Sequence, residues 1–136
     1  MIFESLTKAF DNALYNFSAA NGIVMALENI DAPTSTDTPF LASFMLSGTV
    51  EEIELGVTER RNGIYQIDIN YASHAGSLPL NQMADLLNAE FKRGKDIYWN
   101  DICVSIESVE LSPLIVERGW ATRSLSINWT ADTPLL

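Results

Sequence analysis

Hydrophobic residues at two places along the chain recur with the spacing of a helix. Residues 2–17 and residues 80–91 carry apolar side chains three or four positions apart, with polar side chains between them. This period is typical of an amphipathic helix. The first run meets a stop signal at Asn21-Gly22, and the second is followed by cations and a glycine, which suit a helix end. The apolar positions are Ile2, Phe3, Leu6, Phe10, Ala13, Leu14 and Phe17, then Leu80, Met83, Ala84, Leu87 and Phe91.

Other segments have the composition of β-strands. They are rich in branched and aromatic side chains, and several alternate apolar with polar positions, as half-buried strands do. These segments are residues 22–29, 40–48, 102–109 and 120–129. Proline and hydroxyl residues predict a loop at 32–39, and small residues predict one at 73–77. The tail after residue 129 is expected to be loose.

The stretch RRNGIYQIDINY, residues 60–71, predicts the second half of a long hairpin. Residues 50–61 and 64–71 both alternate, and a turn dipeptide lies between them. A two-residue turn would place the two apolar faces on opposite sides, whereas a three-residue loop at 61–63 places them on one side. We therefore predict a hairpin tip carrying Arg60 and Arg61, with Gly63 in the left-handed region. The expected pairs are Val57 with Ile67, Leu55 with Ile69, and Ile53 with Tyr71.

The order of the predicted elements is α, β, β, β, β, α, β, β, without an internal repeat. The fold class expected from this order is α+β: a mostly antiparallel β-sheet with a long hairpin and two amphipathic helices packed on one face. The length of 136 residues suits a single domain, residues 1–136.

The charge balance separates the possible classes of partner. Eight Lys and Arg stand against eighteen Asp and Glu, which gives a formal net charge of −10. Proteins that bind duplex nucleic acid normally present a basic surface, so duplex binding is disfavoured. The single cysteine excludes an internal disulfide. The N-terminus does not resemble a signal peptide, and no apolar run is long enough to span a membrane, so we expect intracellular synthesis and no membrane partner.

No combination of residues points to catalysis, a metal or a cofactor. His74 is the only histidine, which leaves a zinc site without ligands, and no glycine pattern of a phosphate-binding loop occurs. Cys103 alternates within a strand and is interpreted as a core thiol. Glu52 and Glu54 lie two positions apart, a spacing that suits cation binding or acid–base chemistry but is more typical of a solvated face.

Two segments are candidate contact surfaces. Arg60 and Arg61 either protect a strand edge with charge or bind carboxylates of a neighbouring copy. Leu114, Ile115 and Val116 lie in a connection bounded by a proline and a glycine. These three residues either pack under the sheet or contact another chain.

Several segments in a set order carry a family resemblance. They are an N-terminal amphipathic helix, TPFLASFMLSG (38–48), RRNGIYQIDINY (60–71), a helix ending in FKRG (91–94), the strand ICVSIESV, and a closing strand that begins with Trp and runs into NWTADT (128–133). Together they span nearly all of the chain, which resembles the tail terminator family of long-tailed bacteriophages.

The resemblance implies a structural virion protein without catalytic residues. Such a protein is expected to form a hexameric ring that caps the tail tube, terminates its polymerisation and joins the head-side connector or stopper protein. DNA would pass through the ring without being specifically bound, and an acidic lumen would not hold it. Assembly would occur in the host cytoplasm. The hairpin becomes a candidate subunit or tube contact, in which Arg60 and Arg61 would reach acidic residues of the next subunit. The acidic candidates are Glu51, Glu52, Glu54 and Glu59.

Two alternatives remain open. The first is another neck or head-completion connector, which differs from a terminator only in its neighbours. The second is a small-ligand-binding or enzymatic α+β domain, in which the aromatic residues line a pocket and a carboxylate acts as a base. That domain would be a monomer or dimer with a deep pocket and a strongly shifted carboxylate pKa.

Overall fold

The computed structural model describes residues 2–26, 38–54, 58–99 and 102–134. Both predicted helices are present, α1 at Ile2–Asn21 and α2 at Leu78–Glu90, and a short 3-10 turn, Ser73–Ala75, precedes α2. The strands within the described residues are β1 Val24–Ala26, β2 Phe40–Glu54, β3 Thr58–Ala72, β4 Asp96–Trp99, β5 Ile102–Leu111, β6 Ile115–Glu117 and β7 Trp120–Pro134.

Local signals explain the helix ends. Gly22 follows α1 with a φ of 65°, and the next amide, Ile23 N, donates to Ser18 O at 3.2 Å. A glycine adopts this left-handed conformation without steric cost, so the predicted stop signal acts as expected. Pro79 lies in the first turn of α2, where its missing N–H removes no helical hydrogen bond.

The strands form one mixed sheet in the order β1-β2-β3-β7-β5-β4. β1 runs parallel to β2, whereas the other neighbouring strands are antiparallel. β6 pairs with β7 beyond the end of β5, so β5 and β6 lie on the same side of β7. The α+β class is therefore confirmed, and the parallel β1 makes the sheet mixed rather than wholly antiparallel.

The long hairpin exists, but the predicted turn and register are wrong. β2 and β3 pair along their length, and the connection between them lies at residues 55–57, outside the described residues. Residues 61–63 therefore lie inside β3 rather than at a turn, and Gly63 is not in the left-handed region. Leu55 and Val57 of the predicted pairs also lie outside the described residues. The observed pairs on the buried face are Leu41 with Ile69, Ser43 with Ile67, and Met45 with Tyr65.

Gly63 does not form a turn; it allows β2 and the ring of Trp129 to pack closely against β3. A Cβ at this position would lie 2.5 Å from Leu46 O and 2.7 Å from Cζ2 of Trp129. Neither a paired strand oxygen nor a fully buried ring moves easily, so only glycine allows β2 and the indole to approach β3 here. The Asn-Gly dipeptide resembles a turn signal, but packing determines its conformation.

The C-terminal segment is ordered through Pro134, so the prediction of a loose tail is wrong. Residues 130–134 continue β7 and pair with residues 58–62 of β3. The tail is ordered because β3 continues beyond its apolar residues, and the backbone of this polar part pairs with residues 130–134. In the predicted strand 22–29, β1 occupies residues 24–26, and residues 27–29 lie outside the described residues.

The two helices cover one face of the sheet and share one buried cluster with it. The ring of Phe10 on α1 stacks on Tyr65 of β3 with centroids 4.7 Å apart. The same ring lies 6.4 Å from Phe91 at the end of α2 and 6.1 Å from Trp129 of β7. Tyr65 Oη donates to Oδ1 of Asp11 at 2.5 Å. Phe10 therefore joins both helices to the central strands through aromatic contacts, which add to the energy of apolar burial.

Candidate subunit interface

Arg60 lies in β3 opposite Asp132 of β7, and the two side chains form a bidentate ion pair. Nε of Arg60 donates to Oδ1 of Asp132 at 2.9 Å, and Nη2 donates to Oδ2 at 3.2 Å. The planar guanidinium matches the two carboxylate oxygens, so the pair is directional. Both side chains are 47% exposed, which limits its contribution to stability.

The charge of Arg60 also shifts the titration of its partner. The hydrogen bond from Arg60 lowers the pKa of the Asp132 carboxyl below its usual value; burial opposes this shift, and the positive charge of Arg60 adds to it. A lowered pKa keeps the carboxylate ionised, whereas a general base working near neutral pH would need a raised one. Asp132 is therefore suited to holding Arg60 in place.

Arg61 is paired within its own strand. Its Nη2 donates to Oε2 of Glu59 at 2.9 Å, and both side chains are mostly buried. Glu59, one of the acidic residues predicted to contact arginine, therefore forms an ion pair with Arg61 of the same chain. Glu51 lies opposite Arg60 and Glu52 lies opposite Glu59 in the backbone register.

The remaining acidic candidates are placed only by their backbone. Glu51, Glu52 and Glu54 belong to β2, and their side chains lie outside the described part of the structure. Between Leu46 and Ile64, the side chains that the structure describes are exposed or half-buried. This distal hairpin, residues 46–54 and 58–64, is therefore a surface at the margin of the core.

Leu114, Ile115 and Val116 are solvent-exposed, with 43%, 55% and 60% of each residue accessible. The alternative in which they pack under the sheet is therefore wrong. Ile115 and Val116 belong to β6, which pairs with the start of β7 around a turn at Arg118-Gly119. Consecutive exposed aliphatic residues on a small hairpin are typical of a contact surface.

Hydrogen bonds at its base hold this hairpin in position. Ser112 N donates to Ser124 O at 2.9 Å, and Ser124 N donates to Ser112 Oγ at 2.7 Å. Arg123 donates to Ser112 O at 2.8 Å and to Oδ1 of Asn81 on α2 at 2.9 Å. At the turn, Ser73 N donates to Gly119 O at 2.9 Å. The apolar side chains are thus presented on an anchored backbone.

Sequence reasoning missed the polar network on the sheet face opposite the helices. Asp68 Oδ1 accepts hydrogen bonds from Ser124 Oγ at 2.6 Å and from Gln66 Nε2 at 2.8 Å. Thr122 Oγ1 donates to Oδ1 of Asn70 at 2.7 Å. The signal was available, because alternate positions of β7 are Thr122, Ser124, Ser126, Asn128, Thr130 and Asp132. These short side chains bond to one another across strands, so the face is polar without being strongly charged.

Two shallow grooves cross the same face. One, of about 340 Å³, is lined by Leu46, Ile64 and the edge of Trp129, together with Asn62 and Asn128. The other, of about 310 Å³, is polar, and its lining includes the Arg60–Asp132 pair, Ser105, Thr130 and Cys103. Both are open, and they share Glu107 and Thr130.

Neither Cys103 nor His74 supports a reactive site. Cys103 is half-buried opposite Tyr98, and its neighbours Ile102 and Val104 occupy the core, so the prediction of a core thiol is wrong. A hydrogen bond with Cys103 is the main cause of a raised pKa at Tyr98. His74 is exposed in the turn before α2. Across the described ranges, no three His, Cys, Asp or Glu side chains could together hold a metal ion, and no helix there could cross a membrane.

Comparison with known proteins places the chain in a family. A family model described as "Phage tail terminator protein" matches residues 5–129. No curated protein matches the sequence. Ten chains of known structure are significantly similar. One of them is 16% identical and is superposed over 94% of each chain with a TM-score of 0.78. This likeness shows a shared fold alone. The chain therefore belongs to the phage tail terminator family and is a structural protein of the phage tail.

Proposed function

We propose that this protein, acting as one domain over residues 1–136, forms a hexameric ring on the end of the tail tube. The ring stops tube polymerisation and provides the surface that joins the tail to the head-side connector. The observation that carries the proposal is the match of the tail terminator family model to residues 5–129, nearly the whole chain. Assembly takes place in the host cytoplasm, and the ring remains in the virion at the junction of tail and neck.

The exposed hairpin formed by β6 and the start of β7 supports a self-associating chain. Leu114, Ile115 and Val116 are accessible in the single chain, and hydrogen bonds anchor them. Burying such aliphatic side chains between copies gains free energy in proportion to the apolar area removed from water. We assign these three residues to a subunit contact of the ring.

The distal hairpin supplies a second, charged surface. Arg60 and Arg61 are held by Asp132 and Glu59 of the same chain, so their first role is to order the β3 end of the hairpin. In the ring, the same guanidinium groups and the nearby Glu51, Glu52 and Glu54 form contacts with the neighbouring copy or with the tube protein. Arginine suits this arrangement because its planar group bonds to more than one acceptor.

The net charge of −10 suits a ring through which DNA passes. Like charges repel, so an acidic wall disfavours adhesion of the phosphate backbone. The protein then makes no specific contact with DNA, and its function requires neither a cofactor nor catalysis.

Tail tube assembly tests the proposed function directly. Purified tube protein is polymerised with and without this protein, and tube lengths are measured by electron microscopy while light scattering gives the mass of the added protein. The proposal expects shorter, capped tubes and a discrete hexamer, either free or formed on the tube end. A protein that leaves tube length unchanged and binds filled heads instead is a neck connector, and this outcome overturns the terminator proposal.

Charge reversal tests the distal hairpin as a contact. The double change Arg60→Glu and Arg61→Glu is expected to abolish capping, and Lys8→Glu is the matched control because Lys8 is an exposed base paired with Glu4 on α1. Circular dichroism establishes that each variant is folded. If the folded double variant still forms capped tubes, the distal hairpin is not a contact.

A further inference from the structure

Among the described strands, part of β2 and the outer edge of β6 have no second partner, and they lie on opposite sides of the sheet. β1 covers β2 only along Phe40–Ala42, and a bulge interrupts the strand between Ser47 and Val50. Between these limits, residues 43–46 have no second partner strand within the described residues. On the other side of the sheet, β7 is the one partner that β6 has among the described strands. The two free edges are similar in length, four residues against three.

Both edges carry exposed aliphatic side chains. Leu46 on β2 is 49% exposed, and Ile115 and Val116 on β6 are exposed to a similar extent. An unpaired strand edge presents backbone donors and acceptors, and an apolar one favours pairing with another chain. Because the two edges are different surfaces, each copy can provide one of them to a different neighbour, as a ring requires.

The strand directions are compatible with such pairing. β6 is antiparallel to β7, β7 to β3, and β3 to β2. In a ring in which every copy has the same orientation, β6 of one copy therefore approaches β2 of the next in the antiparallel sense.

The side-chain faces also agree. Val116 lies opposite the buried Ala121 and so shares the helix-covered face. Met45 lies opposite the buried Tyr65 and shares that same face. Alternation along the strands then places Ile115 and Leu46 together on the opposite face.

We propose, on the basis of the ring proposed above, that β6 of each copy adds as an antiparallel strand to residues 43–46 of β2 in the next copy. Val116 lies opposite Met45, and Ile115 lies opposite Leu46. Backbone hydrogen bonds supply the pairing, and the two aliphatic pairs exclude water from both faces of the junction. The sheet then continues from copy to copy around the ring.

The offset between the two edges fits a closed ring. In one chain, Val116 pairs with Ala121, and Ala121 pairs with Tyr71. Continuing this register across β3, Val116 aligns with the residue before Phe40 on β2. If Val116 pairs with Met45 of the next copy instead, each copy is displaced along the strand direction by about six residues, or roughly 20 Å. One copy spans four strand spacings of about 4.8 Å each. This gives a strand tilt of about 45°, and closed barrels have tilts of about 35–45°.

Disulfide trapping tests the pairing. The chain carries Cys103→Ser, Ile115→Cys and Leu46→Cys, is assembled with tail tubes, and is then oxidised and analysed on a non-reducing gel. Within one copy the two new cysteines are about 14 Å apart across β7 and β3, and they are further separated by about six residues along the strands. This is too far for a disulfide. The expected result is a ladder of covalent oligomers that reducing agent collapses to the monomer.

Two controls make the result specific. Each single cysteine should leave the protein monomeric on the gel, because the contact joins two different edges. The pair Ile115→Cys and Tyr98→Cys should also give no ladder, since β4 and β6 lie on the same side of the sheet. If capped tubes form but the Ile115–Leu46 pair gives no ladder, the strand pairing is overturned and the proposed function stands. If no ring forms on the tubes, both proposals fail.

Discussion

Arg60 and Asp132 bind each other across β3 and β7 through two hydrogen bonds of 2.9 and 3.2 Å. The pair joins the distal hairpin to the last residues of β7, next to the buried Ala131. Because both side chains are half-exposed, a double-mutant cycle with Arg60→Ala and Asp132→Ala should give a coupling energy of about 0.5–1 kcal/mol in urea unfolding. A coupling energy near zero would show that solvent screening cancels the pair.

The same coupling energy should depend on pH. Arg60 lowers the pKa of Asp132 in the folded protein, so its contribution is fully present above the unfolded pKa of about 3.9 and is lost as the pH falls through the lower folded value. Cycles measured at pH 7 and below pH 4 should therefore show the coupling decline in acid. A coupling energy that rises on acidification would contradict the assigned ion pair.

Tyr65→Phe removes the hydroxyl that donates to Asp11 and leaves the stacked ring in place. Hydrogen bonds to charged groups contribute about 1.5–3 kcal/mol, and because Asp11 is half-exposed, water compensates for part of the loss. We expect the free energy of unfolding to fall by about 1–2 kcal/mol. Tyr15→Phe, on the exposed face of α1, is the control and should change it by less than about 0.5 kcal/mol.

Gly63→Ala and Gly22→Ala separate steric overlap from backbone strain. At Gly63 the added methyl group meets Leu46 O and the Trp129 ring, so we expect a loss of about 3 kcal/mol, at the upper end of overpacking costs. At Gly22 the surrounding space is open, and only the positive φ is unfavourable, which costs about 1–2 kcal/mol. Thermal unfolding of both variants measures the difference, and equal losses would show that the β2–β3 contact relaxes readily.

Ile115→Lys should impair assembly without changing the stability of the single chain. The side chain is 55% exposed, so lysine is accommodated in the monomer, but a charge cannot be buried between copies without a partner. Leu78→Lys, at a 67% exposed residue on α2, is the matched control and should assemble normally. Tube-length measurements on both folded variants provide the comparison, and normal capping by the Ile115 variant would remove β6 from the interface.

Helix positions were predictable because their signal is local. The spacing of Leu6, Phe10 and Leu14 identifies the buried side of α1, and Gly22 supplies the stop. Strand existence was likewise visible from alternation, and most strand positions were close to those observed. The candidate surface at Leu114–Val116 was also recognisable, because three aliphatic residues between a proline and a glycine have no obvious place in a core.

Strand register was not predictable from alternation. Ile67 and Ile69 satisfy the same pattern whether they lie opposite Val57 and Leu55 or opposite Ser43 and Leu41. The observed choice depends on Phe10, which stacks on Tyr65, and on Trp129, which needs the open space at Gly63. Both contacts join residues far apart in sequence, so a local reading of Asn62-Gly63 as a turn could not include them.

By itself, the sequence determined the two amphipathic helices, the α+β class, the acidic charge and the family resemblance, because these follow from local periodicity, composition and segment order. Only the tertiary structure decided that Arg60 binds Asp132 and that β7 continues to Pro134. It also decided that, among the described strands, residues 43–46 and β6 keep edges without a second partner on opposite sides of the sheet. These features depend on which strands become neighbours. That choice is made by burying one shared core, and the pattern of any single segment does not specify it.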